Sequence, residues 1–308
     1  DIMTVGEMSS TTIENGIAYS NPDKQELSMV FSFHHLKVDY LDGEKWSKTS
    51  FDFIKLKELL NDWQEGMSYG NGWNALFWNN HDQPRVISRF GDPVNHFEAS
   101  AKLFAQSIHL LRGTPYIYQG EEIGMTDPEF QEMTDYVDIE THNAYKELKA
   151  KNLPHEEIME IIKSKSRDNS RTPMQWTNEE NAGFTSGEPW IKLADNYHQI
   201  NVEKEQAEGS IFEFYKKLIQ LRKEMPVISE GSYRGIMMDH PSVYGYVREY
   251  EGEQLLVLNH FYSNSVTLEI PEEFLMKSSR YLIGNGKERS LTTNLELGPY
   301  ETIAFYFE

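Results

Sequence analysis

Two carboxylates in this chain stand where a side chain can meet a reacting bond. Glu7 closes a short apolar run, Ile2-Met3-Thr4-Val5-Gly6. A carboxylate at the tip of a buried strand is lifted toward its protonated form by desolvation, which suits a general acid. A solvated Glu at a strand end gives the same local sequence. Asp82 follows Asn79-Asn80-His81, with Pro84 and Arg85 behind it. Such a His can position a hydroxyl while the carboxylate stabilises developing positive charge, and the pair is also common as plain surface polarity. The conjunction of the two sites points to chemistry more strongly than either alone.

Positioning them requires strands, and the apolar runs supply a repeated pattern. Ile2 to Glu7, Leu27 to Phe33, Trp73 to Trp78 and Thr114 to Tyr118 are each followed by a polar tip: Glu7 itself, His34-His35, Asn79-Asn80-His81-Asp82 and Gln119-Gly120-Glu121-Glu122. Between them the spacing of Phe51, Ile54, Leu59 and Trp63, and of Phe97, Ala101, Phe104, Ile108 and Leu111, predicts amphipathic helices. Strand, polar tip, helix, strand is the order of a parallel βα architecture, and a (β/α)8 barrel carries its site at the strand C-termini. Four strands are visible where a closed barrel needs eight, so the chain is expected to begin partway around one. From about Gly235 the period changes to two, in runs such as Val243 to Val247, Leu255 to Leu258, Val266 to Ile270 and Thr302 to Phe307, with turn chemistry at Gly284-Asn285-Gly286. The predicted fold is therefore α/β: the C-terminal half of a TIM (β/α)8 barrel over residues 1–230, then a small all-β antiparallel sandwich domain over 231–308.

Composition narrows the class. The 308 residues carry 49 Asp+Glu against 29 Lys+Arg, a formal net charge of −20, and no cysteine. No basic stripe can follow a phosphate backbone, so a nucleic-acid partner is not expected. No apolar run is long enough for a membrane span. Without cysteine there are no disulfides, thiolate metal sites or Cys nucleophiles, which suits a cytoplasmic location. His96, His109 and His142 lack metal-ligand spacing, and neither a metal nor a cofactor is expected.

Thr4-Val5-Gly6-Glu7 and Asn80-His81-Asp82 resemble two of the short catalytic regions of the alpha-amylase superfamily of glycoside hydrolases. Ser166-Arg167-Asp168-Asn169-Ser170-Arg171-Thr172-Pro173-Met174-Gln175-Trp176 resembles the signature of its branch of oligo-1,6-glucosidases and trehalose-6-phosphate hydrolases. The resemblance runs through essentially the whole chain. It implies that Glu7 is the general acid/base, that Asp82 stabilises an oxocarbenium-like transition state, and that His81 and Arg171 contact the sugar. The family's covalent nucleophile, an Asp on the preceding strand, is expected to lie ahead of this sequence. A retaining glycosidase needs both carboxylates, about 5 Å apart. The 308 residues alone are thus expected to be inactive, and to pair with the missing N-terminal half or to self-associate.

Phe33-His34-His35-Leu36-Lys37-Val38-Asp39-Tyr40 is similar to the segment of the trehalose-6-phosphate hydrolases, where isomaltose-cleaving relatives tend to carry an acidic residue at His34 or His35. The resemblance implies a phosphorylated disaccharide as substrate. A phosphate near −2 charge would be attracted by His34, His35, Lys37 and Lys45, the two amines flanking a turn at Leu41-Asp42-Gly43. Two rival readings stand beside it: an oligo-1,6-glucosidase acting on isomaltose-type ends, and a non-catalytic amylase-like module, against which Glu7 and Asp82 argue. Trp78, Trp176 and Trp190 are candidate sugar-stacking faces or core. Gln119 to Gly124 either lines the rim or forms a supporting hydrogen-bond network, and Lys146 to Lys165 reads as a solvated helical face.

Overall fold

The computed structural model describes residues 2–308. Four short strands, β1 (Val5–Glu7), β2 (Met29–Phe31), β3 (Asn74–Leu76) and β4 (Thr114–Pro115), pair in parallel and in chain order. Their polar tips therefore emerge along one edge of the sheet. Helix α1 (Ile13–Ser20) links β1 to β2, α2 (Phe53–Tyr69) links β2 to β3, and α3 (Val86–Phe90) with α4 (Phe97–His109) links β3 to β4.

The buried face of α2 is rotated from the predicted stripe. The helix starts at Phe53 because the Asp52 side chain accepts from the amide of Lys55, and Phe53, Leu56, Leu60, Trp63 and Met67 face the core while Ile54 is exposed. Lys57 and Gln64 join that face because their polar ends are satisfied there. The Lys57 ammonium donates to the carbonyls of Met237 and His240, and Gln64 exchanges hydrogen bonds with the main chain of Arg112.

The stretch taken as one solvated helical face is two helices, α5 (Ile139–Ala150) and α6 (His155–Lys165). They are separated where Asn152 adopts φ 62° and Pro154 blocks continuation. Ala144, Leu148, Ile158 and Ile162 close on Phe130, Tyr136 and Ile191 as a small core of their own. The last residue, Lys165, is buried against Asp39. Helix α7 (Ile211–Glu224), capped by Ser210, and the short α8 (Pro226–Ser229) complete this part of the chain.

The antiparallel region holds β5 (Ser232–Ile236), β6 (Val243–Tyr250), β7 (Glu253–His260), β8 (Val266–Glu269), α9 (Glu272–Leu275), β9 (Ser279–Gly284), β10 (Asn294–Leu297) and β11 (Thr302–Phe307). A five-stranded sheet of order β5-β6-β7-β11-β9 stacks on a two-stranded ribbon of β10 and β8. Its central strands β6, β7 and β11 are buried on both faces over most of their length. Val243, Val247, Leu256, Leu258, Ile303 and Phe305 pack toward the ribbon, whereas Tyr244, Tyr246, Leu255, Val257, Ala304 and Tyr306 join the core shared with the α/β region. Arg248 fastens that junction, donating to the carbonyls of Leu110, Ile228, Gly231 and Ser232. Asn285, expected only in a turn, donates to the carbonyl of Ala99 on α4. Among the described residues no helix is long and apolar enough to cross a membrane.

Candidate active site

Parallel strands deliver the candidate residues to one place. Glu7 at the end of β1 and Asn79, Asn80 and His81 beyond β3 line a cavity of about 210 Å³, walled by Phe31, Phe33, Phe77, Tyr116 and Tyr118. Glu7 itself is exposed at this cavity, so the desolvation expected of a buried strand tip is not what the structure provides.

Asp82 is held from three sides. Its Oδ1 accepts from Arg171 Nη2 at 2.6 Å and lies 3.5 Å from Arg167 Nη1, Oδ2 is 3.6 Å from His81 Nε2, and its amide donates to Asn80 Oδ1 at 2.8 Å. Arg171 also donates from Nε to the carbonyl of His81 at 2.7 Å. The arginines are anchored in turn by Asp138, 3% exposed, whose Oδ1 accepts from Arg167 at 2.6 Å and approaches Arg171 at 3.4 Å. Its Oδ2 caps α5 at the amide and hydroxyl of Thr141. Burial pushes the Asp138 carboxyl upward, but the hydrogen bonds of Arg167 and Thr141 prevail and hold it below the usual carboxylate range. Arg167 and Asp138 escaped the sequence reading. Arg167 stands in the same signature as Arg171, but a lone Asp at the start of a helix reads only as a cap.

Beneath the cavity, Asn79 accepts from the amide of Val86 at 2.7 Å and donates to Glu121 Oε2 at 2.7 Å, while the Tyr215 hydroxyl donates to Glu121 Oε1 at 3.1 Å. Gln119 to Gly124 is thus a supporting network. Gly120, at φ 89°, lets the chain turn there, because a Cβ would meet Met125 Sδ at 2.4 Å. Burial pushes the Glu121 carboxyl up to about 7, against the opposing hydrogen bonds from Asn79 and Tyr215.

The segment after β2 is arranged differently from the cradle expected of it. His35 is buried, its Nε2 is 2.8 Å from the carbonyl of Phe77, and desolvation lowers its pKa to about 4, so it is neutral and brings no charge to a ligand. His34 Nε2 lies 2.8 Å from the carbonyl of Thr11 and its ring stacks on Trp63. The two lysines take separate partners: Lys37 donates to the carbonyl of Ser9 at 2.8 Å, and Lys45 donates to both oxygens of Glu140 at 3.0 and 2.9 Å. Asp39 fixes the loop between them by accepting from Arg89 and Lys165, which outweigh its burial and lower its pKa. Trp78 is core, its indole donating to the carbonyl of Phe104, while Trp176 and Trp190 are exposed.

The parallel sheet thus carries Glu7 on one strand tip and the arginine-clamped Asp82 beyond another, and comparison with known proteins gives the family in which this arrangement stands. Residues 1–231 match the family described as "Alpha amylase, catalytic domain", and residues 243–304 match "Alpha-amylase SusG C-terminal domain". The chain belongs to the alpha-amylase family. It is 50% identical to the trehalose-6-phosphate hydrolase of Bacillus subtilis, over 99% of this chain and 55% of that protein. It is also 46% identical to the oligo-1,6-glucosidase of Bacillus cereus, over the same shares. The crystal structure of Bacillus licheniformis trehalose-6-phosphate hydrolase superposes with a TM-score of 0.96 at 50% identity, covering 99% of this chain and 56% of that one. The chain thus spans about half the length of the relatives it matches.

Proposed function

We propose that the protein to which these residues belong hydrolyses trehalose-6-phosphate to glucose and glucose-6-phosphate with retention at the anomeric carbon. The observation that carries the glycosidase reading is the convergence of Glu7 and His81 on one cavity while Arg171 clamps Asp82 beside it. In this reading Glu7 gives a proton to the leaving glycosidic oxygen as the C1–O bond breaks, and later takes one from the attacking water. Asp82, paired with Arg171 and facing Arg167, stabilises positive charge on the sugar ring. The nucleophilic carboxylate is supplied by a further barrel strand, from the part of the relatives' length that the chain does not span. Residues 1–230 form the catalytic portion and 231–308 its β domain. The outer edges of β1 and β4 would pair with further strands, from the same protein or from another copy.

The phosphorylated substrate is favoured by Lys37 and Lys45 on the loop after β2 and by the similarity to the hydrolases named above. A phosphorylated sugar does not diffuse through a bilayer, so a cytoplasmic location belongs to the same reading. A glucosidase acting on isomaltose-type ends is the second reading, supported by the 46% identical relative and by the inward-turned His34 and His35. Glucose release from trehalose-6-phosphate and from isomaltose at equal concentration decides between them. The phosphorylated sugar is expected to be strongly preferred, and preference for isomaltose overturns the assignment.

A further inference from the structure

Charges alternate without a break from the loop after β2 to Asp82. Lys45 binds Glu140 at 2.9 Å, Glu140 Oε2 lies 3.0 Å from Arg167 Nε, and Arg167 donates to Asp138 at 2.6 Å. Asp138 approaches Arg171 at 3.4 Å, and Arg171 donates to Asp82 at 2.6 Å. Three cations face three anions, so the chain is neutral as it stands.

Its members are not equally fixed. The side chain of Asp138 is 3% exposed and also caps α5, whereas that of Glu140 is 37% exposed. Among the described residues the Glu140 carboxylate meets only Lys45 and Arg167. Lys45, 18% exposed, is held by packing on the Trp46 ring at 4.8 Å, and Arg167 keeps its bond to Asp138 whatever Glu140 does. Two cations in place and a partly exposed carboxylate between them are the elements of an anion-exchange site.

We propose that Glu140 is a specificity-determining residue whose carboxylate occupies the position of a sugar-bound phosphate and is displaced by it from Lys45 and Arg167. The ligand rests on the phosphorylated-sugar reading above. The exchange is chemically balanced: a singly charged carboxylate swings to water, and a group of charge near −2 with three acceptor oxygens takes its place between the two cations. The position lies in the first turn of α5, where the helix dipole favours an anion of either kind. A neutral sugar has nothing with which to displace Glu140. Selection against it follows from that resident charge as much as from attraction to the lysine.

Inorganic phosphate and glucose-6-phosphate, with glucose as the neutral control, are titrated by calorimetry into the protein carrying the complete barrel and into its Glu140→Gln variant, which keeps the side chain's shape and removes its charge. Both phosphates are expected to bind about tenfold tighter to the variant, a change of ~1.4 kcal/mol, with glucose unaffected and the gain abolished by adding Lys45→Ala. Phosphate binding that is unchanged or weaker, in a variant with the parent's unfolding temperature, overturns the exchange. Should Glu140→Gln unfold early, Glu140→Asp tests the same point, since a carboxylate one methylene shorter no longer spans both cations. It too must tighten phosphate binding, and failure to do so overturns the proposal. Tighter phosphate binding in an enzyme that prefers isomaltose supports the exchange and refutes the substrate reading. Preference for trehalose-6-phosphate without tightening refutes the exchange alone.

Discussion

One guanidinium, that of Arg171, holds Asp82 twice: through the carboxylate at 2.6 Å and through the carbonyl of the preceding His81 at 2.7 Å. The side chain and the main chain that carries it are therefore fixed as a unit. A lysine at position 171 would keep the charge but could not reproduce two divergent N–H directions from one planar group. Arg171→Lys is expected to lower kcat/KM by roughly 10²-fold, equivalent to ~2.7 kcal/mol of lost transition-state stabilisation, in a protein carrying the complete barrel. Steady-state kinetics with the preferred disaccharide measures it, and a loss under threefold would show that Asp82 does not depend on this clamp.

Glu121, like Glu122 and Asp127 near it, gives the fold a pH dependence opposite to that of the cation-paired Asp138 and Asp39. Its carboxyl is pushed up to about 7 from an ordinary 4.5, chiefly by burial, so the folded state binds a proton that the unfolded chain releases. The resulting stability is fully present below about 4.5 and is lost as pH rises through about 7. Asp138 and Asp39, held low by their cationic partners, act the other way: their contribution is present above the ordinary carboxylate pKa and disappears in acid. Denaturant unfolding of Glu121→Gln between pH 5 and 8 is expected to show a flatter stability profile than the parent chain. An unchanged slope would mean that Glu121 does not titrate in this range.

What the sequence conveyed and what it withheld divide along physical lines. Apolar runs ending in polar tips revealed the four parallel strands, the inner pair β2 and β3 being largely buried and the outer pair half-buried, and Glu7 and Asp82 sat at or just beyond those tips. The α2 stripe was misplaced because its true face includes Lys57 and Gln64, whose polar ends find carbonyl and amide partners visible only in three dimensions. Asp138 and Glu140 were missed for a related reason. Each is an ordinary acidic residue near a helix start, and its meaning comes from arginines and a lysine far away in the sequence. His34 and His35 looked like ligands by type, yet their rings turn inward to backbone carbonyls.

Arg248 shows how the β region is tied to the rest. Its guanidinium is buried, four backbone carbonyls accept from it, and among the described residues no carboxylate is a hydrogen-bond partner. Burial lowers its pKa to about 10, which still leaves it charged at neutral pH. Arg248→Lys strips donors from carbonyls that water cannot reach, and a buried polar group left unpaired costs about 1–3 kcal/mol. The variant is expected to unfold at lower denaturant with the parent's slope. A steeper loss of slope, or two separate transitions, would show instead that the two regions unfold independently.

Lys37 tests the loop after β2 without touching the Glu140 exchange. Its ammonium donates to the carbonyl of Ser9 and lies 3.5 Å from the Ser10 hydroxyl, on the segment that follows the Glu7 strand. A carbonyl neutralises nothing, so this charge remains available to an anion near the cavity, although a net charge of −20 opposes phosphate at long range. Recognition must then come from short-range pairing, and removing the amine should weaken only ligands that carry the phosphate. Lys37→Ala is expected to raise KM for trehalose-6-phosphate severalfold while leaving unphosphorylated trehalose nearly unchanged. Equal effects on the two sugars would assign Lys37 to holding the Ser9–Ser10 turn and leave phosphate recognition to Lys45 and Arg167.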